Sequence, residues 1–158
     1  MKKEVFLDKM QETIQICDLH HERMFFAYNK MSSWFPLNMD VYDQLTEEQV
    51  SFSDQLIYRF SQLQDTMGLK FFNLLMKGLG ENTDNMPFID LLCRMEQLGL
   101  IDDHNEWLML RETRNIVTHE YPFNKNDVID GLNELFSQSM VLSNIWMSLR
   151  SYAQARFF

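Results

Sequence analysis

Apolar side chains recur every third or fourth residue through most of this chain, and this spacing constrains the fold more than any other feature. In the first segment the steps alternate between four and three at Phe6, Met10, Thr13, Cys17, His20, Met24, Ala27 and Met31. That pattern predicts one long helix with a core-facing seam. It should end near Trp34, because Pro36 disfavours helical geometry in the residue before it.

The same periodicity continues downstream, with only five glycines and three prolines to interrupt it. Thr46 and Gln49 match a capping box at the start of a second long helix, within which Gly68 permits a close approach or a slight bend. The predicted later helices run over 47–77, 87–99, 103–121 and from 126 or 127 to 156. No strand-like alternation competes. We therefore expect an all-α single domain over 1–158, an antiparallel four-helix-type bundle with an additional short helix.

Composition narrows the class of protein. A chain of 158 residues suits one domain, and no apolar run approaches the roughly 20 residues that span a bilayer. The first residues lack the apolar stretch of a signal peptide, and two cysteines build neither a disulfide framework nor a zinc site. We expect a cytoplasmic protein without membrane contact. The net charge of −9 argues against a general nucleic-acid coat, so RNA binding requires a local concentration of basic residues.

The predicted fourth helix carries the most informative residues. Its apolar half, at about 100° per residue, comprises Trp107, Met109, Leu110, Ile116, Val117 and Tyr121. Arg114 lies at the edge of this half, so it either snorkels or sits in a partly buried cleft. Asn115 and His119 face the same way, whereas Arg114 and His119 point about 140° apart. The side chains of Arg114 and His119 can therefore meet only through the length of the arginine, through a distorted last turn before Pro122, or across two chains of a dimer.

The order Arg114, four residues, His119, one residue, Tyr121, with a polar Asn115 after the arginine, resembles the HEPN superfamily (higher eukaryotes and prokaryotes nucleotide-binding). Within that superfamily it resembles the HepT-like toxins. The resemblance implies a homodimeric, metal-independent endoribonuclease toxin whose arginine and histidine form the cleft at the dimer interface. It also implies a small nucleotidyltransferase antitoxin as partner, which in some members silences the toxin by transferring AMP to the motif tyrosine, here Tyr121.

These residue types suit RNA cleavage without a metal or another cofactor. His119 can act as general acid or base, and Arg114 offers a planar cation for phosphate oxygens. Asn115 either orients His119 or bonds the phosphate. An AMP on Tyr121, two turns beyond Arg114, would occupy the phosphate site of that arginine. Arg111 is either a second phosphate contact or a solvated arginine paired near Glu112.

Other interpretations of the same residues stay open. The motif also fits a helix end whose cations lie near the negative end of the helix dipole. One alternative is a non-catalytic module that binds a nucleotide or the nucleotidyltransferase, and another is a helical interaction protein without either role. The acidic stretch 40–48 is either a solvated connector or a dock for a basic antitoxin. The segment from Leu135 onward lacks acidic residues and is either core, dimer surface or basic rim.

Two further features are expected to be structural. His20, His21 and Glu22 diverge around a helix, so we expect no metal there and a buried His20. Cys17 on the first seam and Cys93 on a short helix are expected to be unreactive, and His104 is expected in a loop.

Overall fold

A computed structural model describes residues 2–119 and 124–158, with the side chains of 118 and 119 left out of the description. Every regular element in these residues is helical, which confirms the all-α prediction. The helices are α1 (Lys3–Met31), α2 (Met39–Asp43), α3 (Glu47–Thr66), a π-helical turn (Met67–Phe71), α4 (Phe72–Gly78), α5 (Phe88–Gln97), α6 (His104–His119) and α7 (Lys125–Phe157).

Four contacts establish how the long helices run. Gly78 at the end of α4 lies against Phe6 near the start of α1 and Phe157 at the end of α7. Halfway along, Asp18 of α1 accepts hydrogen bonds from α7 at Trp146 Nε1 (3.0 Å) and Arg150 Nε (2.8 Å). Helices α3–α4 and α7 therefore run antiparallel to α1 in a bundle.

The predicted helix boundaries agree with local capping chemistry. Thr46 and Gln49 form the expected capping box, with Thr46 N donating to Gln49 Oε1 at 2.9 Å and Gln49 N donating to Thr46 Oγ1 at 3.2 Å. The first helix ends at Met31, three residues before Trp34. The acidic connector contains α2, a short helix that the sequence did not predict, capped by Asn38, whose side chain accepts from Val41 N at 2.9 Å.

The second predicted helix extends over 47–78 but changes type at Met67–Phe71, where one π turn interrupts the α-helix. The sequence predicted a close helix–helix approach or a slight bend at Gly68, but not this change of helix type. A Cβ at Gly68 would lie 3.4 Å from Trp107 Cζ2 and 3.7 Å from Phe88 Cζ. The close approach expected at Gly68 is therefore confirmed. The π turn lies where the rings of Trp107 and Phe88 pack against the helix.

The buried face of α6 is narrower than predicted. Trp107, Leu110 and Thr113 are buried, at steps of three residues. Met109 was placed on the apolar half, and this was wrong, because its side chain is 54% exposed. Helix α6 packs on α3 and α7, and Trp107 contacts the ring of Phe72 with centroids 4.7 Å apart. The predicted helix end at Tyr121 and Pro122 lies outside the described residues.

Candidate functional site

Helices α3, α5 and α6 enclose a cavity of about 240 Å³ beside the π turn. Its lining joins aromatic, amide and charged side chains: Gln64, Asp65, Gly68, Leu69, Phe88, Trp107, Arg111, Arg114 and Asn115. Three of the five sequence-predicted site residues, Arg111, Arg114 and Asn115, are therefore brought to one surface.

Arg114 occupies the partly buried cleft that one of the two sequence interpretations expected. Its side chain is 22% exposed, and its Nη2 donates to Asp65 Oδ2 at 2.8 Å. Its Nη1 donates to Asn115 Oδ1 at 3.3 Å. An aspartate on α3 thus fixes the guanidinium plane at the cavity edge, which sequence spacing along α6 did not indicate.

Arg111 lies one turn earlier and is exposed. Its guanidinium carbon is 5.0 Å from the centroid of the Phe88 ring, within cation–π range. The sequence allowed two interpretations of Arg111, a phosphate contact or an ion pair near Glu112. Neither interpretation included the contact with the Phe88 ring. The stacked arginine keeps its charge at the cavity mouth. Among the described residues that line the cavity, Arg111 and Arg114 are cationic and Asp65 is anionic, in a chain whose net charge is −9.

Two buried polar side chains of the cavity wall escaped the sequence analysis. Gln64 is 3% exposed, and neither its Oε1 nor its Nε2 has a hydrogen-bond partner within the part of the chain that the structure describes. The same holds for Nε1 of Trp107, which is 1% exposed. The available signal was a glutamine one turn after Phe60, in the middle of the apolar stripe of α3. Buried polar groups are usually hydrogen-bonded, and these atoms have almost no accessible surface, so they lie within the helix packing beneath the cavity wall.

The other two predicted site residues are only partly placed. The backbone of His119 ends α6, but its imidazole and all of Tyr121 lie outside the described residues. The convergence of Arg114 with His119, and the modification of Tyr121, therefore stay predictions.

The remaining histidines of the described chain have structural partners. His20 was expected to be buried, but it is half-exposed and lies 3.0 Å from Arg59 Nη1; burial and that guanidinium lower its pKa. His21 Nε2 lies 2.8 Å from Ser143 Oγ, and burial also lowers its pKa.

His104 begins α6 rather than lying in a loop, and it forms a small polar cluster with Glu96 and Asp103. Glu96 Oε1 accepts from His104 N at 2.8 Å and lies 3.1 Å from Nδ1, and these bonds lower the pKa of Glu96. Capping of α6 thus accounts for the cluster. Nothing in its geometry requires a metal ion.

Comparisons of the chain with known protein families, with curated proteins and with solved structures return no match. The HEPN resemblance therefore depends on the sequence motif at 114–121 alone. Among the described helices, none combines the length and the apolar character needed to cross a membrane.

Proposed function

We propose that this chain is a HEPN-type endoribonuclease toxin that cleaves RNA without a metal ion. The observation that carries the proposal is the position of Arg114 on a cavity edge, held by Asp65 at 2.8 Å and one turn from the exposed Arg111. This pair of arginines supplies the local positive charge that an acidic protein needs to bind a phosphodiester.

In the proposed reaction the ribose 2′-oxygen attacks the adjacent phosphorus, and the bond from phosphorus to the 5′-oxygen breaks. The products are a 2′,3′-cyclic phosphate and a 5′-hydroxyl end. Arg114 binds the phosphate oxygens, whose negative charge increases in the transition state. His119 takes the 2′-hydroxyl proton or protonates the leaving oxygen, and Asn115 orients it or bonds the phosphate.

The proposed active form is a homodimer. An ideal helix separates Arg114 and His119 by about 140°, so a two-fold packing of α6 against its copy brings the arginine of one chain towards the histidine of the other. Two copies also supply two imidazoles, which suits a reaction that needs both a base and an acid.

The proposed regulator is a nucleotidyltransferase antitoxin that acts on the toxin in the cytoplasm. Transfer of AMP to Tyr121 would place an anion near Arg114 and compete with the RNA phosphate. The acidic stretch 40–48 offers a dock for a basic surface of such a partner.

A second candidate function is a non-catalytic nucleotide-binding module. The ion pair between Arg114 and Asp65 favours it, because a guanidinium that already has a carboxylate partner stabilises the additional negative charge of a transition state less. Such a module would bind nucleotides and leave RNA intact.

The deciding experiment incubates purified protein with RNA in a chelator and identifies the product ends. We expect 2′,3′-cyclic phosphates from wild type and a loss of about a hundredfold or more in His119→Ala and Arg114→Ala, with unchanged helical circular dichroism. Matched controls are His20→Ala and Arg23→Ala, which lie away from the cavity on α1 and should retain the activity. Full activity in either site variant would refute the assignment.

A further inference from the structure

The end of the bundle where α1 begins and where α4 and α7 end carries a cavity of about 780 Å³. Its volume is more than three times that of the cavity beside the π turn, so it has room for several phosphate groups. Phe6, Gly78 and Phe157 form the apolar part of its lining. The charged part comes from separate segments of the chain, so the fold rather than one run of sequence assembles it.

Three cationic side chains from different helices line this cavity: Lys3 of α1, Lys77 of α4 and Arg156 of α7. All three residues are exposed, so their charged ends are accessible to a ligand. Within the described residues none of them forms an ion pair, whereas Arg114 and Arg150 each have a carboxylate partner. In a chain whose net charge is −9, these three cations are a local concentration of positive charge.

Two carboxylates share the lining but do not cancel this charge. Glu81 is already bound by Arg94, whose Nη2 donates to Oε1 at 2.8 Å and whose Nε donates to Oε2 at 3.2 Å. Asp84 is exposed and has no cationic partner in the part of the chain that the structure describes. Because Arg94 neutralises Glu81, Asp84 is the carboxylate that remains to oppose the three cations.

Helix dipoles account for two of the three cations but not for the third. Lys77 and Arg156 lie in the last turns of α4 and α7, where a cation stabilises the negative end of a helix. Lys3 instead begins α1, at the positive end of a helix, next to Lys2, whose side chain makes no capping hydrogen bond. Glu4 of the same turn does not line the cavity. The position of Lys3 therefore favours an anionic ligand over compensation of a dipole.

We propose that Lys3, Lys77 and Arg156 form a bundle-end site that binds the phosphate groups of an RNA strand. Lysine and arginine contact the phosphate backbone, and such contacts add affinity without selecting a base. The identification of the ligand as RNA rests on the proposed ribonuclease function, whereas phosphate binding itself does not require cleavage.

The bundle-end site is separate from the cavity that contains Arg114. Lys77 follows Asp65, the partner of Arg114, by twelve residues along α3, the π turn and α4. At 1.5 Å per residue this places the two sites about 18 Å apart along the helix axis. A strand that contacts both has to extend over several nucleotides, so a dinucleotide bound at Arg114 does not reach the bundle end.

The test measures the affinity of the full chain for a single-stranded 2′-O-methyl RNA long enough to reach both sites. This RNA lacks the 2′-hydroxyl that the proposed cleavage needs, so binding is measured without turnover. We expect the triple variant Lys3→Gln, Lys77→Gln, Arg156→Gln to bind about tenfold or more weakly at low salt. The slope of log affinity against log salt should become shallower by about two, because each contact to a single-stranded phosphate contributes about 0.7.

A matched control removes the same charge elsewhere. Lys9→Gln, Arg23→Gln, Lys30→Gln changes three exposed cations of α1 that do not line the cavity. This variant should lose less than about twofold in affinity and keep the salt slope. Asp84→Asn removes the opposing carboxylate and should strengthen RNA binding.

The outcomes separate this inference from the proposed function. Equal losses in the two triple variants, or no RNA binding by the wild type, would overturn the bundle-end site. A lower melting temperature in the site variant with unchanged RNA affinity would assign the cations to helix ends alone and overturn it as well. The site variant should raise KM for a long RNA and leave cleavage of a dinucleotide unchanged. Binding that depends on the three cations in a protein that cleaves no RNA would preserve the site and overturn the ribonuclease.

Discussion

Arg114 of α6 and Asp65 of α3 form an ion pair of 2.8 Å at the edge of the cavity. Asp65 is 39% exposed and Arg114 22% exposed, so the pair is partly screened by water. The aspartate orients the guanidinium, and under the proposed function it also competes with the RNA phosphate for it.

Asp65→Asn separates these two effects. We expect the free energy of unfolding to fall by only about 0.2–1 kcal/mol, which is typical of exposed ion pairs. Under the proposed function, RNA affinity should rise a few fold at low salt, because one negative charge beside Arg114 is removed. Fluorescence anisotropy with a short RNA and urea unfolding measure both quantities. Asp54→Asn, an exposed site on the same helix, is the control, and weaker RNA binding in Asp65→Asn would contradict the competition.

His20 and His21 should make stability depend on pH in the near-neutral range. Burial lowers the pKa of both from the ordinary value of 6.5, with Arg59 acting in the same direction on His20. Asp18 raises and Arg150 lowers the pKa of His21 to lesser extents.

Below pH 6.5 the unfolded chain therefore binds protons before the folded chain does, so the free energy of unfolding decreases as the pH falls and levels off once both states are protonated. This window lies above that of Glu81 and Glu96, whose pKa values are lowered from 4.5. The double variant His20→Gln, His21→Gln should flatten the slope in urea titrations between about pH 7.5 and 5.5. An unchanged slope would show that these two imidazoles do not carry it.

Cys17 should be inert towards thiol reagents in the native protein. It is fully buried, and burial with help from Asp18 raises the pKa of its thiol to about 12. Since the thiolate is the nucleophile, iodoacetamide at about pH 8 should spare Cys17 and react first at the half-buried Cys93. Mass spectrometry of digests should then show Cys17 labelled only after unfolding. Rapid native labelling in a Cys93→Ser variant would be inconsistent with this packing.

Gly78→Ala should loosen the end of the bundle where three chain segments meet. A Cβ there would lie 2.5 Å from ring atoms of both Phe6 and Phe157, which form an edge-to-face pair with centroids 5.2 Å apart. We expect a loss of about 1–3 kcal/mol by chemical denaturation, as for other overpacked sites. Adding Phe157→Leu should recover part of the loss, and equal losses in the single and double variants would argue against the overlap.

The sequence predicted the parts of the fold that depend on local chemistry. Thr46 and Gln49 indicated the start of a helix, because the hydrogen bonds between them span only three residues. The burial of Trp107 followed from helical angles, and the same angles offered the partly buried cleft of Arg114 as one of two interpretations. The exposure of Met109 could not be predicted in this way. Periodicity shows which side chains lie on the apolar side of a helix, but not how much of that side the neighbouring helices cover.

The rest of the candidate site depends on contacts between helices, which spacing along one helix does not contain. Asp65 lies 49 residues before Arg114, and Phe88 lies 23 residues before Arg111, the arginines of α6 that they contact. Gln64 was visible as a polar residue in an apolar stripe, but the packing that buries its amide was not. The motif residues predicted the kind of chemistry that is proposed for the site. The packing of α3 and α5 against α6 determines which other side chains lie next to them.

The π turn at Met67–Phe71 affects both how many residues this helix contains and which way its later side chains point. It holds one residue more than an α turn, so the residues after it are rotated by about 100° relative to an uninterrupted helix. The buried side chains that follow include two adjacent couples, Phe71 with Phe72 and Leu75 with Met76. Deletion of one residue within the π turn would convert it to an α turn and leave both couples facing the interior. The same deletion just after the turn, within α4, would swing the second couple away, so the π turn marks the one point of this helix at which the chain can lose a residue without turning its buried face outward.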